Sequence, residues 1–127
     1  MSVGYLPHSF DLFNVAHLDL VAAARSRSTR LVLAVLDDAE VRARTGRAPV
    51  VPLAERLEIV AHVTGVDAVV VHGSPEAQAS LEVADLLVAP EEVAAWPEGA
   101  VALPATRTTT SAVLRHALRP VTTGAVA

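Results

Sequence analysis

The chain contains no cysteine in its 127 residues. Disulfides, thiolate nucleophiles and zinc–thiolate centres are excluded by that absence. Aromatic residues are scarce, with two phenylalanines, one tyrosine and one tryptophan. The core must therefore be filled by Val, Leu and Ala, for which an apolar content of 52% is ample. Positive charge nowhere forms a block, and the formal net charge is −4. That balance argues against nucleic acid or an anionic membrane as a partner. No apolar run approaches the roughly 18 residues that a membrane-crossing helix needs. No basic region followed by an apolar segment opens the chain, so no signal peptide is expected and a cytoplasmic location is the default. A Gly-rich dinucleotide fingerprint and a Walker A motif are both missing. His62, His72 and His116 show no ligand spacing, so no metal site is expected from the protein alone. The length fits one domain, expected over 1–119, with a loose tail over 120–127.

What is present is a regular alternation of apolar patterns. Val3 to Leu6 reads as a first strand, and residues 16–27 as a helix with Ala22, Ala23 and Ala24 inside it. Arg30 to Leu36 is a continuous apolar run suited to a strand buried on both faces. Residues 39–51 are polar and read as a loop with a helical start. Pro52 opens a helix with Leu53, Leu57 and Val60 at helical spacing, and Gly65 is placed to stop it. Val66 to Val71 is a second buried-strand pattern, and Ser74 is placed to cap a short helix after it. Ala84 to Ala89 and Ala100 to Leu103 read as further strands, with 91–99 irregular between them. A final helix is expected to run to Leu118 before Pro120 closes it. The pattern predicts an α/β domain with an open parallel sheet of about five strands, the first one central, and helices on both faces. Ligands bind such sheets beyond the strand C-terminal ends. The polar segments 7–17, 37–49 and 104–111 all fall there.

The stretch Pro7 to Leu20 carries the chemistry. It leads from a strand into a helix N-terminus, where unpaired N–H groups and the macrodipole favour an anion. His17 near that start can donate to an oxygen or carry a proton near neutral pH. Asn14 suits a helix cap, and its amide can equally donate to a phosphate oxygen. The segment from His8 to His17 resembles the Gly-x-Phe-Asp-x-x-His-x-Gly-His signature of the cytidylyltransferase-like nucleotidyltransferases, of the glycerol-3-phosphate cytidylyltransferase type. Ser9, Phe10, Asp11 and His17 fit the pattern, while His8 replaces a Gly, Asn14 the first His and Ala16 the second Gly. The resemblance implies a Rossmann-like nucleotidyltransferase fold and places His17 on the nucleotide phosphates as the catalytic residue. It puts His8, Ser9, Phe10 and Asn14 around the same phosphates. His8 either stands in for the missing first His or partly blocks the pocket.

Two further segments extend the resemblance. Gly46 to Leu57 is similar to the family's basic loop and Glu-Arg helix start, which implies phosphate contacts for Arg44, Arg47 and Arg56. Scattered arginines also serve as a solvated loop, and Arg56 could form a structural pair. Leu103 to Ser111 is similar to the family's last motif and implies phosphate contacts for Arg107, Thr110 and Ser111. A hydroxyl-rich helix cap is the competing reading there. Ala89-Pro90-Glu91-Glu92 stands where the family has a Gly-Asp-Asp-Trp-like segment. The resemblance implies transfer of a nucleoside monophosphate to a phosphorylated small alcohol with release of pyrophosphate, as CMP from CTP rather than AMP from ATP. It further implies Mg²⁺ arriving with the nucleotide, and a homodimer. A catalytically impaired nucleotide-binding or protein-interaction module on the same fold is the alternative, supported by the departures at His8, Asn14 and Ala16.

Overall fold

The computed structural model describes residues 2–108. The expected final helix, the boundary at 119, the tail over 120–127, Thr110 and Ser111 lie outside the described residues. Five strands form one parallel sheet: β1 (Val3–His8), β2 (Arg30–Val35), β3 (Ala68–Val71), β4 (Asp85–Val88) and β5 (Val101–Ala102). Their order is β3-β2-β1-β4-β5, so the first strand is central, as expected. β1 runs beside β2 from Val3 opposite Arg30 to His8 opposite Val35. On its other side Gly4 and Tyr5 face Asp85 and Leu86 of β4. The chain builds outward from β1 through β2 and β3, then crosses back to β4. That reversal leaves a crevice at the C-terminal end of β1, where sheets of this kind bind ligands.

Side-chain alternation explains both layers. Leu6, Leu31, Leu33 and Val35 pack beneath α1 (Val15–Ser26) and α3 (Leu53–Ala61), against Leu20, Val21, Ala24 and Val60. Tyr5, Val32 and Ala34 point to the opposite face, towards Ala77 of α4 (Pro75–Leu81). Both faces are thus apolar, which is why the β2 segment reads as an unbroken run. Ser74 caps α4 through a bond from the Ala77 N–H at 3.1 Å. Among the described residues no helix is long and apolar enough to cross a membrane.

Three expectations are corrected. The polar stretch over 39–51 contains a helix, α2 (Asp38–Thr45), whose start is fixed by the Asp37 carboxylate accepting the Glu40 N–H at 2.7 Å. Gly46 ends it in the left-handed region, at φ 84°. The Val66–Val71 segment is not a doubly buried strand. β3 lies at the sheet edge and all four of its residues are half-buried. The stretch over 91–99 begins with a 3-10 helix, Pro90–Ala95, before its turn.

Candidate active site

The connection from β1 to α1 is a tight turn tied by its own side chains. Phe10 and Leu12 both adopt left-handed backbone, with φ 53° and 51°. Non-glycine residues rarely do so, and such strain collects at sites that hold ligands. The His8 Nδ1 accepts the Phe10 N–H at 3.0 Å, and the Ser9 hydroxyl accepts the Asp11 N–H at 3.3 Å. Asn14 is the N-cap of α1. Its Oδ1 accepts the Ala16 N–H at 2.8 Å, and its Nδ2 donates to the Leu12 carbonyl at 2.9 Å. His17 completes a reciprocal cap, its Nδ1 accepting the Asn14 N–H at 3.0 Å. Each bond fixes a tautomer. With Nδ1 accepting a backbone N–H, neutral His8 and His17 carry their proton on Nε2. His17 is only 3% exposed. Its ring stacks on Phe13 at 5.1 Å and meets the edge of His8 at 5.0 Å.

Two buried charged residues hold the surrounding loops. Asp11, 5% exposed, accepts the N–H groups of Val50 and Val51 at 2.8 and 2.9 Å. It thereby pins the loop after α2 to the turn after β1. Arg56 is fully buried. Its Nε donates to the Val51 carbonyl, its Nη1 to the carbonyls of Ser9 and Leu36, and its Nη2 to the Asp38 carboxylate. The phosphate contact expected of Arg56 is corrected accordingly. This guanidinium ties the ends of β1 and β2 to α3 and offers no accessible surface to a ligand. Phe10 is corrected in the same way, since its side chain is 1% exposed and belongs to the core under α1.

Above this scaffold lies a cleft of about 700 Å³ at the end of β1. It is lined by His8 and Ser9 at the end of β1, by Arg42, Arg44 and Arg47 from α2 and the loop after it, and by Glu91, Glu92 and Ala95 from the 3-10 helix after β4. The expected residues His8, Ser9, Arg44 and Arg47 therefore converge on one cavity. His17 sits against His8. Arg107 is elsewhere: its guanidinium grips Asp19 of α1 at 3.0 and 2.8 Å, and its N–H reaches the same carboxylate at 3.0 Å. Those hydrogen bonds, with the arginine charge, hold the Asp19 carboxyl below its usual range. Arg107 is thus held in an exposed ion pair with Asp19 and is not among the residues lining the cleft.

The acidic wall is a feature that sequence reading did not assign to the site. His8 Nε2 lies 3.2 Å from the Glu92 carboxylate. Burial pushes the Glu92 carboxyl up, but the hydrogen bond and electrostatic pull of His8, with the Arg44 charge, outweigh it and the net shift is downward. Arg44 pairs with Glu40 at 3.3 Å and lies 4.0 Å over the Trp96 ring. Trp96 meets His72 edge-on at 5.1 Å, and His72 Nδ1 shares a 2.6 Å hydrogen bond with the Tyr5 hydroxyl. Burial first, and the Arg44 charge next, lower the His72 pKa. Trp96 Nε1 is a buried donor without a hydrogen-bond partner among the described residues. The Glu91-Glu92 pair shortly after β4, with a tryptophan four residues beyond it, was the signal available for this wall.

Comparison with known proteins follows the same lines. Residues 5–93 match the model of a family described as cytidylyltransferase-like. A bifunctional protein HldE from Gluconacetobacter diazotrophicus is 40% identical over 74 residues, which cover 58% of this chain and 15% of that protein. HldE from Halorhodospira halophila is 47% identical over 62 residues, covering 48% of this chain and 13% of the relative. The chain thus matches only a small part of the length of these relatives. FAD synthase from Pyrococcus abyssi is 33% identical over 89 residues, 70% of this chain and 58% of that protein. The crystal structure of a lipopolysaccharide core biosynthesis protein from Thermoplasma volcanium shares the fold. It gives a TM-score of 0.64 at 18% identity and covers 84% of this chain and 99% of that one.

Proposed function

This chain belongs to the cytidylyltransferase-like family, and we propose that it catalyses nucleotidyl transfer to a phosphorylated small alcohol. An acceptor phosphate oxygen attacks the α-phosphorus of a nucleoside triphosphate, the new P–O bond forms, the bond to the β-phosphate bridging oxygen breaks, and pyrophosphate leaves. The observation that carries this reading is the pair of touching imidazoles at the end of the central strand, each with Nδ1 turned to a backbone N–H, beside a cleft lined by three arginines. The protein's part in such a reaction is positioning and charge stabilisation. His17 Nε2–H is the donor assigned to the triphosphate, and Arg42 and Arg47 supply charge along the phosphates, for which guanidinium groups are suited. Among the described residues no three His, Asp or Glu side chains gather as a metal site. Mg²⁺ is proposed to arrive with the nucleotide, held by its phosphates. CTP is the proposed donor from the motif, and the similarity to a protein named FAD synthase supports ATP as the second candidate. A homodimer is part of the proposal and is tested by sedimentation velocity.

A second reading, a nucleotide-binding module without turnover, is favoured by one observation. Asn14, which stands at a family His, has its Oδ1 on the Ala16 N–H and an N–H on the Leu12 carbonyl. Calorimetry with CTP and ATP plus Mg²⁺, followed by a pyrophosphate-release assay across phosphorylated alcohols, separates the two. Transfer predicts pyrophosphate release that His17→Ala reduces by about 10²–10³-fold, the usual effect of losing one preorganised donor to developing charge. Nucleotide binding without release, in wild type and in the His8→Gly/Asn14→His double variant, overturns transfer in favour of the module.

A further inference from the structure

The imidazole of His8 is paired with the carboxylate of Glu92, to which the proposed reaction gives no role. His8 stands at the C-terminal end of β1, lining the cleft, where the family signature has a glycine. Its two nitrogens have different partners. Nδ1 accepts the Phe10 N–H, so it is closed to a substrate proton and the ring is not arranged as a general base. Nε2 therefore carries a proton and directs it at Glu92 Oε2, 3.2 Å away. Glu92 comes from the 3-10 helix after β4 and lines the same cleft as His8. It is the acceptor of the only donor that His8 can present. An anion thus already sits in a cleft that faces Arg42, Arg44 and Arg47. Burial opposes the charge on that carboxylate, yet the hydrogen bond from His8 and the nearby Arg44 keep it ionised.

We propose that the Glu92 carboxylate holds the place of a substrate phosphate on His8 Nε2–H, and that ligand binding exchanges one anion for the other. In the exchange the tautomer of His8 does not change. The N–H that meets Glu92 turns to a phosphate oxygen, and the 3-10 helix carrying Glu92 withdraws from the cleft. His8 is then a phosphate ligand of this chain, available only when Glu92 lets go. The identity of the phosphate as part of a nucleotide rests on the function proposed above, but the exchange itself requires only a phosphate anion.

The test is calorimetric titration of the folded full chain with inorganic pyrophosphate, CTP and ATP, in wild type, Glu92→Gln, Glu91→Gln and Glu92→Gln/His8→Phe. Melting curves confirm that each variant is folded. Exchange predicts that Glu92→Gln binds pyrophosphate about tenfold more tightly, the scale of one net hydrogen bond involving a charged group. It also predicts that His8→Phe cancels that gain and that Glu91→Gln gives a clearly smaller one. Equal gains from Glu91→Gln and Glu92→Gln would mean a general effect of cleft charge and would overturn the exchange. Unchanged or weaker binding in Glu92→Gln, with wild type binding nucleotide, overturns the exchange and leaves the nucleotide reading standing. Tighter pyrophosphate binding in Glu92→Gln, with no variant binding CTP or ATP, supports the exchange and removes the nucleotide. Absence of binding by all three anions in every variant overturns both.

Discussion

At the scale of single residues, Arg56 shows how far a motif can be read. Its place in a Glu-Arg helix start was legible, but spacing says nothing about which way a side chain turns. The structure turns it inward, onto three carbonyls and the Asp38 carboxylate. Arg56→Ala leaves the Val51, Ser9 and Leu36 carbonyls without their donor, while the half-exposed Asp38 carboxylate can turn to water, and we expect a loss of about 2–3 kcal/mol in denaturant unfolding, the scale of buried acceptors left unmatched. A loss below about 1 kcal/mol would show that water replaces the guanidinium without penalty. Tyr5 gives a prediction in pH. It is fully buried, and burial raises its phenol pKa to about 12. The unfolded phenol ionises near pH 10. Between those values the unfolded state sheds a proton that the folded state keeps, so stability present below pH 10 falls as pH rises towards 12. The chain has one tyrosine and no lysine, so little else titrates in that window. Unfolding free energy should drop by about 2 kcal/mol across it, and Tyr5→Phe should flatten the profile. An equal slope in the variant would assign the drop to another group.

At the scale of elements, the legible ones are those whose apolar pattern is long or continuous. β2 reads as a strand because both of its faces are covered. α2 was only half legible because Val41 is its one buried residue, which leaves no apolar periodicity to find. Its start was nevertheless written in the chain, as an Asp37 whose carboxylate caps the Glu40 N–H three residues on. β3 shares the Val-rich composition of an inner strand, and composition alone does not tell an edge from a centre. α1 carries the element-scale prediction. Its first turn is held by Asn14 Oδ1 on one side and His17 Nδ1 on the other. Asn14→Ala should cost about 1 kcal/mol, the usual effect of losing an N-cap. Because His17 bonds the Asn14 N–H rather than its side chain, the imidazole should keep its tautomer. Nitrogen-15 chemical shifts of the His17 ring check this: a shift of the proton to Nδ1 in Asn14→Ala would mean that the reciprocal cap acts as one unit.

At the scale of the whole molecule, the candidate site is made by bringing three distant segments to one end of one strand. The switch of strand order at β1 opens the crevice, α2 and the loop after it supply the arginines, and the 3-10 helix after β4 supplies the acidic wall. The alternation of strands and helices was enough to expect the crevice. The acidic wall was marked only by its Glu91-Glu92 pair, because its place in the site depends on the segment after β4 crossing back towards Arg44 and His72. The joint between the first two segments is Asp11, whose carboxylate takes the Val50 and Val51 N–H groups. Asp11→Asn keeps the shape but turns one acceptor into a donor facing a donor. We expect it to lower stability by about 1–3 kcal/mol, the cost of a buried unsatisfied group. It should also weaken nucleotide binding about tenfold, because the wall bearing Arg44 and Arg47 is no longer fixed against the turn. Arg47→Ala should weaken binding to a similar degree while changing stability by less than about 0.5 kcal/mol, as a surface substitution does. The contrast is the test. Calorimetry and melting curves on both variants should show affinity lost in each and stability lost only in Asp11→Asn. If Asp11→Asn melts early but binds nucleotide like wild type, the loop is anchored for folding alone, and the arginine wall finds its place without it.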